Sequence, residues 1–311
     1  MKKLFVTGDF NLPEGFALHF DLRHLRSPKS ESDIREGLRE CWGYVIGGPE
    51  YLSENILKIA TKLQKVVVLG TGTNSFVDLE AARKRGISVC HTPGINVDAV
   101  AEFAIGSLIM SAAGGFKSIH LLKEGNWYQN PHKSLSDIGI GIYGLGNIGT
   151  AFARKLRLLG ATKLSYTSRT RKTMLEKELS LNFCSAQDLF SRNDVVSVHL
   201  QYAPETHHIV NSNLLKKARP ELIMLNFSNP NVFDPTALRY FLREGSGFAF
   251  FDGYYREWVY NKGLSKDNEG LLCLGPEKFV ASSHIAAQEE STIQELLQVA
   301  LSKLRKEEDD D

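Results

Sequence analysis

The sequence predicts an α/β protein of two domains, each a parallel sheet flanked by helices, and three observations carry that prediction. Strand and helix signals alternate through the first third of the chain, the pattern of parallel βα units. A second alternation begins at Ile138 and holds six strand-like runs with helices between most of them, as in a full doubly wound sheet. Between the first strand and first helix of that series lies Gly144-Leu145-Gly146-Asn147-Ile148-Gly149, a glycine-rich turn. With 311 residues, the chain is long enough for two cores.

In chain order, residues 4–6, 44–46 and 66–69 read as short buried strands. Ser53 is expected to cap a helix carrying Ile56, Leu57 and Ile59. Residues 77–85 form another helix, followed at once by a strand at 87–90. The longest apolar stretch, 99–116, is interrupted by Glu102 and rich in Gly and Ala, which predicts a buried helix rather than a membrane span, its end loosened at Gly114-Gly115. The second series runs through 138–143, 163–167, 195–198, 222–225, 248–251 and 279–280. From Ser291 onward, Ile293, Leu296, Leu297, Ala300, Leu301 and Leu304 give one more amphipathic helix, which must dock on something already folded.

The alternation before the glycine turn is a buried strand, and Ile148, Ala151, Phe152, Leu156 and Leu159 recur behind it at helical spacing up to Gly160. Such a turn aims backbone N–H groups and a positive helix end at a pyrophosphate. Gly144 allows the tight turn, Gly146 lets a phosphate approach beside Asn147 and Ile148, and Gly149 lets helix and strand pack closely. The next strand should end at the adenosine ribose, where an NAD-selective site carries Asp or Glu about 20 residues past the glycines. Here Arg169 stands 20 residues beyond Gly149, within Ser168-Arg169-Thr170-Arg171-Lys172. Hydroxyl and guanidinium groups hold a 2′-phosphate by charge-assisted hydrogen bonds, whereas a carboxylate repels it. The segment also reads as a solvated basic cluster opening a surface helix. Its position favours NADP(H), with NAD(H) tolerated.

Composition bounds the partners. The chain is 42% apolar and 23% charged with a formal net charge of +1, ordinary for a globular protein and contrary to a nucleic-acid or anionic-membrane partner. Cys41, Cys90, Cys184 and Cys273 are scattered without metal-ligand spacing, which predicts buried free thiols in a reducing cytoplasm and no metal site. The apolar run after Met1 stops at Thr7-Gly-Asp9, too early for a signal peptide. His207 and His208 are expected to point apart, and Trp127 to anchor a core or interface.

Over nearly its whole length the chain resembles the D-isomer-specific 2-hydroxyacid dehydrogenases. Gly70-Thr71-Gly72-Thr73-Asn74 is similar to the family's substrate loop, and residues 77–87 to the helix that follows. His91-Thr-Pro-Gly94 and Ala99-Val-Ala-Glu-Phe103 resemble its first domain crossing, with His91 where Asn is commoner. Residues 199–206, with Pro204 and Thr206, match its adenine-side loop, and Ser168 to Lys172 looks most like its glyoxylate and hydroxypyruvate reductase branch. The resemblance implies a flavodoxin-like substrate domain from residues 1–98 and 285–311, and a Rossmann cofactor domain at 99–284. It also implies a catalytic cleft between the domains, and a homodimer built through the cofactor domains and the helix after Pro93.

Reducing a 2-oxo acid requires a hydride donor, a proton donor at the carbonyl oxygen, and groups that hold the carboxylate. Histidine suits the proton step because its unperturbed pKa lies near neutrality, and a neighbouring carboxylate favours its proton-donating form. In the family pattern this pair falls on His284 and Glu257, with Asp252 on the nicotinamide side and Thr71, Gly72, Thr73 and Asn74 on the substrate. The family's arginine position is occupied by Asn229, and Pro230 replaces the glycine after it. Asparagine keeps one neutral donor where a charge-assisted bond is about twice as strong, and Pro230 restricts Asn229 to extended backbone. Three readings remain: a reductase of an atypical substrate held mainly by His284, Asn229 and the loop at 71–74, a weakened glyoxylate or hydroxypyruvate reductase, and a dinucleotide-binding regulatory protein without turnover.

Overall fold

The structure, a computed structural model, describes residues 1–26, 30–255 and 267–305. The chain divides into two compact units, and each has its own parallel sheet. The strands of the first unit are β1 (Lys2–Thr7), β2 (Phe20–Leu25), β3 (Gly43–Ile46), β4 (Lys65–Val68) and β5 (Ser88–His91). They lie in the order β2-β1-β3-β4-β5, a doubly wound arrangement with its switch point between β1 and β3. Helices α1 (Glu14–His19), α2 (Glu31–Gly37), α3 (Glu54–Ile59) and α4 (Leu79–Lys84) connect them.

Residues 97–255 and 267–286 form the second unit. It opens with α5 (Val97–Ala112) and α6 (Gly115–Lys123), then β6 (Gly139–Tyr143), α7 (Asn147–Leu158), β7 (Lys163–Thr167) and α8 (Thr173–Leu179). After these come β8 (Asn182–Phe183), α9 (Ala186–Arg192), β9 (Val195–Val198), α10 (Ser212–Leu215), β10 (Ile223–Asn226), α11 (Pro235–Glu244), β11 (Phe248–Asp252) and β12 (Phe279–Ser282). The seven strands run parallel in the order β12-β11-β10-β9-β6-β7-β8. The chain ends in α12 (Glu290–Arg305), which belongs to the first unit.

Alternation along the strands creates the layers. Ile140, Ile142, Val195 and Phe250 pack with α5 and α7 on one face of the larger sheet, while Tyr143, Val196, Val198 and Phe251 pack with α9 to α11 on the other. In the smaller sheet, Phe5, Tyr44 and Val66 face α2 to α4, and Leu4, Val6, Val45 and Val67 face α12. Leu296, Leu297, Ala300, Leu301 and Leu304 are all buried there, as their helical spacing predicts.

The sequence reading missed β2, whose apolar residues alternate with Asp21 and Arg23, and the two-residue edge strand β8. The expected helix at 99–116 is two helices, bent by 63° where Gly114 takes φ +66°. No single helix among the described residues is long and apolar enough to cross a membrane. Trp127 is 78% exposed rather than in the core, and of the four expected buried thiols only Cys41 is buried, Cys90 and Cys184 being half-buried and Cys273 exposed. The rings of His207 and His208 do not diverge. They stack with centroids 3.9 Å apart because His208 takes φ +51° and turns its side chain back over its neighbour.

Candidate active site

Parallel strands put all their carboxyl ends on one edge, and in the second unit the predicted residues gather there. Across that edge stand the His284 turn after β12, Asp252 at the end of β11, Asn229 after β10, His199 after β9, the glycine turn after β6 and Ser168 after β7. The glycine turn and the His284 turn are four strands apart, about 19 Å at the usual spacing. The glycine turn sits at the reversal between β6 and β9, where open sheets of this kind bind ligands.

Each glycine has the geometry its assigned part needs. Gly144 takes φ +98°, and a Cβ there would lie 2.8 Å from the carbonyl oxygen of His199. Gly149 lies at the start of α7 so close to the strand end that a Cβ would collide with the carbonyl of Gly144. At Gly146 a Cβ would meet no protein atom within 4 Å, and this residue and Asn147 are exposed at the head of the helix. Gly146 thus leaves its backbone open to solvent, which the approach of a phosphate to the chain requires. Ile148 is half-buried beside it. Thr206 folds its hydroxyl onto Ala203 N, 2.8 Å, and Gln201 O, 2.9 Å, shaping the loop that carries the exposed Pro204.

Beyond β7 the basic cations are not equivalent. Arg171 is clasped by Glu176 through Nε and Nη2 at 2.8 and 2.9 Å, and its guanidinium lies over the ring of Phe183. Arg169 makes no hydrogen bond or ion pair among the described residues. Ser168 donates to Thr170 O, 2.7 Å, which curls the segment. The buried hydroxyl of Tyr166 receives Lys172 N at 2.7 Å and donates to Glu176 at 2.7 Å.

At the opposite end, His284 is exposed on a left-handed backbone, φ +58°. The turn is tied down by Asp252, only 5% exposed, whose carboxylate accepts Ser282 Oγ at 2.7 Å, Ile285 N at 2.8 Å and Ala286 N at 3.0 Å. Both oxygens of Asp252 are thus engaged by the segment that presents His284. Glu257, the expected carboxylate partner, lies outside the described residues. Asn229 has φ −56° and ψ 135°, the extended geometry that Pro230 imposes, and its carbonyl oxygen accepts from Asn231 N at 2.9 Å and Nδ2 at 3.0 Å. That side chain caps its own short turn.

His199, the other histidine on this edge, is a packing residue. Its ring lies between Phe152 and Phe227, Nε2 meets Ser197 at 2.8 Å, and burial pulls its pKa down to about 3, so it is neutral. In the first unit, Thr71, Gly72, Thr73 and Asn74 form a short turn after β4, entered through Gly70 at φ +107° and steadied by Gly70 N on Thr92 Oγ1, 2.8 Å. No group of three His, Cys, Asp or Glu among the described residues could hold a metal ion.

Parallel topology and glycine geometry together define a dinucleotide-binding domain. The profile described as D-isomer specific 2-hydroxyacid dehydrogenase, NAD binding domain, matches residues 105–286. Glyoxylate reductase of Thermococcus litoralis is 30% identical over 280 residues, spanning 85% of this chain and 83% of the relative. That of Pyrococcus horikoshii is 33% identical over 249 residues, 76% of this chain and 74% of the relative. Among solved structures, D-lactate dehydrogenase from Aquifex aeolicus complexed with NAD and lactic acid superposes with a TM-score of 0.82 at 19% identity, covering 97% of this chain and 94% of that one. The chain belongs to the D-isomer specific 2-hydroxyacid dehydrogenase family, and its second unit binds a nicotinamide dinucleotide.

Proposed function

We propose that the protein reduces the carbonyl of a small 2-oxo acid, or of a close chemical relative, to a hydroxyl group with NADP(H) in preference to NAD(H). One arrangement carries the reading: a turn shaped for a pyrophosphate and a histidine held on a tied-down turn share one edge of one sheet. When bound, the dinucleotide supplies the hydride. His284 gives the proton to the carbonyl oxygen, and Asp252 fixes the backbone from which it acts. Gly146 and the head of α7 receive the pyrophosphate, and Arg169 receives the 2′-phosphate by a charge-assisted contact.

Asn229 sets the substrate question. It brings no positive charge to the position that the family resemblance gives to arginine, and losing such a donor costs about 10²–10³ in rate. A substrate that depends less on a gripped carboxylate than glyoxylate does suits this loop better. A second reading, a dinucleotide-binding regulator without turnover, draws on the same loop, since Asn229 spends its oxygen on Asn231. A homodimer through the helix after Pro93 accords with the exposed Ile109, Ile119, Leu122 and Trp127.

The test is oxidation of NADPH and NADH against glyoxylate, hydroxypyruvate and a panel of oxo acids, aldehydes and ester analogues, with the parent and His284→Ala. Turnover in the parent that vanishes in His284→Ala, with dinucleotide affinity retained, is the expected result. Turnover that survives the substitution defeats the proton-donor assignment. Silence of the parent across the panel, with tight dinucleotide binding, replaces the enzyme reading with the regulatory one.

A further inference from the structure

We propose that Glu176 sets the balance between the two nicotinamide dinucleotides by withholding Arg171 from the 2′-phosphate. The inference rests on the reading that this phosphate lies beside Arg169. By sequence the segment after β7 offers three cations, Arg169, Arg171 and Lys172. The structure cancels one of them. Glu176 grips Arg171 with two hydrogen bonds in the fork-to-fork geometry that makes arginine–carboxylate pairs strong and directional.

The clasp is built from below as well as from the side. Tyr166, fully buried in the sheet, donates to Glu176 Oε1 at 2.7 Å and accepts Lys172 N at 2.7 Å, so the carboxylate has a fixed seat before any ligand arrives. Phe183, from the edge strand, lies under the guanidinium at 5.4 Å. The side chain of Glu176 is 14% exposed and that of Arg171 is 59% exposed, so the pair presents a neutralised outer face. Arg169 and Lys172 carry no such partner among the described residues. The phosphate pocket therefore holds fewer available charges than its sequence suggests, the condition for accepting NADH as well as NADPH. A carboxylate in the usual NAD position would exclude the phosphate, whereas one that only occupies a neighbouring arginine attenuates the preference.

The measurement is dissociation constants for NADPH and NADH by quenching of intrinsic fluorescence, at low and moderate salt. Glu176→Gln keeps a partner for Tyr166 and removes the charge. It should tighten NADPH by about tenfold, the size of one charge-assisted hydrogen bond, and leave NADH unchanged. The paired change Arg171→Ala with Glu176→Gln, which keeps the net charge, should return both constants to parental values. That variant also serves if Glu176→Gln alone fails to fold. An unchanged or weaker NADPH constant in Glu176→Gln overturns the proposal, as does a loss of NADPH affinity in the paired variant. Arg169→Ala separates the two layers: if it leaves the NADPH-to-NADH ratio untouched, the phosphate reading itself falls.

Discussion

Asp252 shows how much one side chain can do for a neighbour it does not touch through its side chain. A non-glycine residue in the left-handed region costs of order 1 kcal/mol or more and persists where its surroundings over-determine it. His284 is such a residue, and the carboxylate beneath it accepts two amides and a hydroxyl from the same turn. Asp252→Asn replaces one acceptor oxygen with a donor facing Ala286 N. We predict a fall in kcat of about a hundredfold, the scale of an ångström-sized misplacement, with the dinucleotide dissociation constant changed much less. Equal losses in both would show that the carboxylate serves the cofactor directly. The sequence named Asp252 and His284 for separate roles, and it concealed the bonds from the Asp252 carboxylate to the backbone of the His284 turn, which depend on the register of β11 against β12.

At the level of elements, the glycine turn was legible because its constraint is local. Strand, turn and helix follow one another within a dozen residues, and each glycine answers a steric demand of that short path. The same geometry makes a paired prediction. Gly146→Ala, with φ −84° and open space around the new methyl, should leave the melting temperature unchanged while dinucleotide affinity drops at least tenfold. Gly149→Ala must push α7 away from the Gly144 carbonyl, so thermal unfolding should shift downward together with binding. If Gly146→Ala binds the dinucleotide like the parent, the pyrophosphate does not rest on that backbone. The basic segment was only half legible. Arg171 and Glu176 stand five positions apart, not a facing interval on a helix, and the pair meets because Lys172, the N-cap of α8, has a non-helical conformation. His207 and His208 defeated the sequence reading for a related reason: a left-handed residue breaks the rule that adjacent side chains diverge.

For the whole molecule, two carboxyl groups held in opposite ways contribute to the response to pH. Glu50, buried with Thr7 and Tyr44 on one oxygen, is pushed above the usual carboxylate range by desolvation. The unfolded chain releases this proton near the ordinary value of about 4.3, so the folded state gains from Glu50 at low pH and loses that gain as pH rises. Glu176, held by Arg171 and Tyr166, is lowered to about 2 and contributes above the unfolded value, its share fading as pH falls toward 2. Glu50→Gln, whose amide oxygen can accept from both hydroxyls, should make urea midpoints fall less as pH rises above the ordinary carboxylate value. A slope that stays parental would place the titration elsewhere. Glu50 left no mark in the sequence, since its burial depends on Gly47 and Gly48 letting the chain fold over it.

The docking of α12 has a consequence for assembly in time. One face of the first sheet, with Leu4, Val6, Val45 and Val67, is covered by side chains from residues 293–304. On the ribosome, that face has Phe10, Phe16 and Phe20 of the first third beside it, and lacks its α12 cover until the nearly two hundred residues of the second unit have been made.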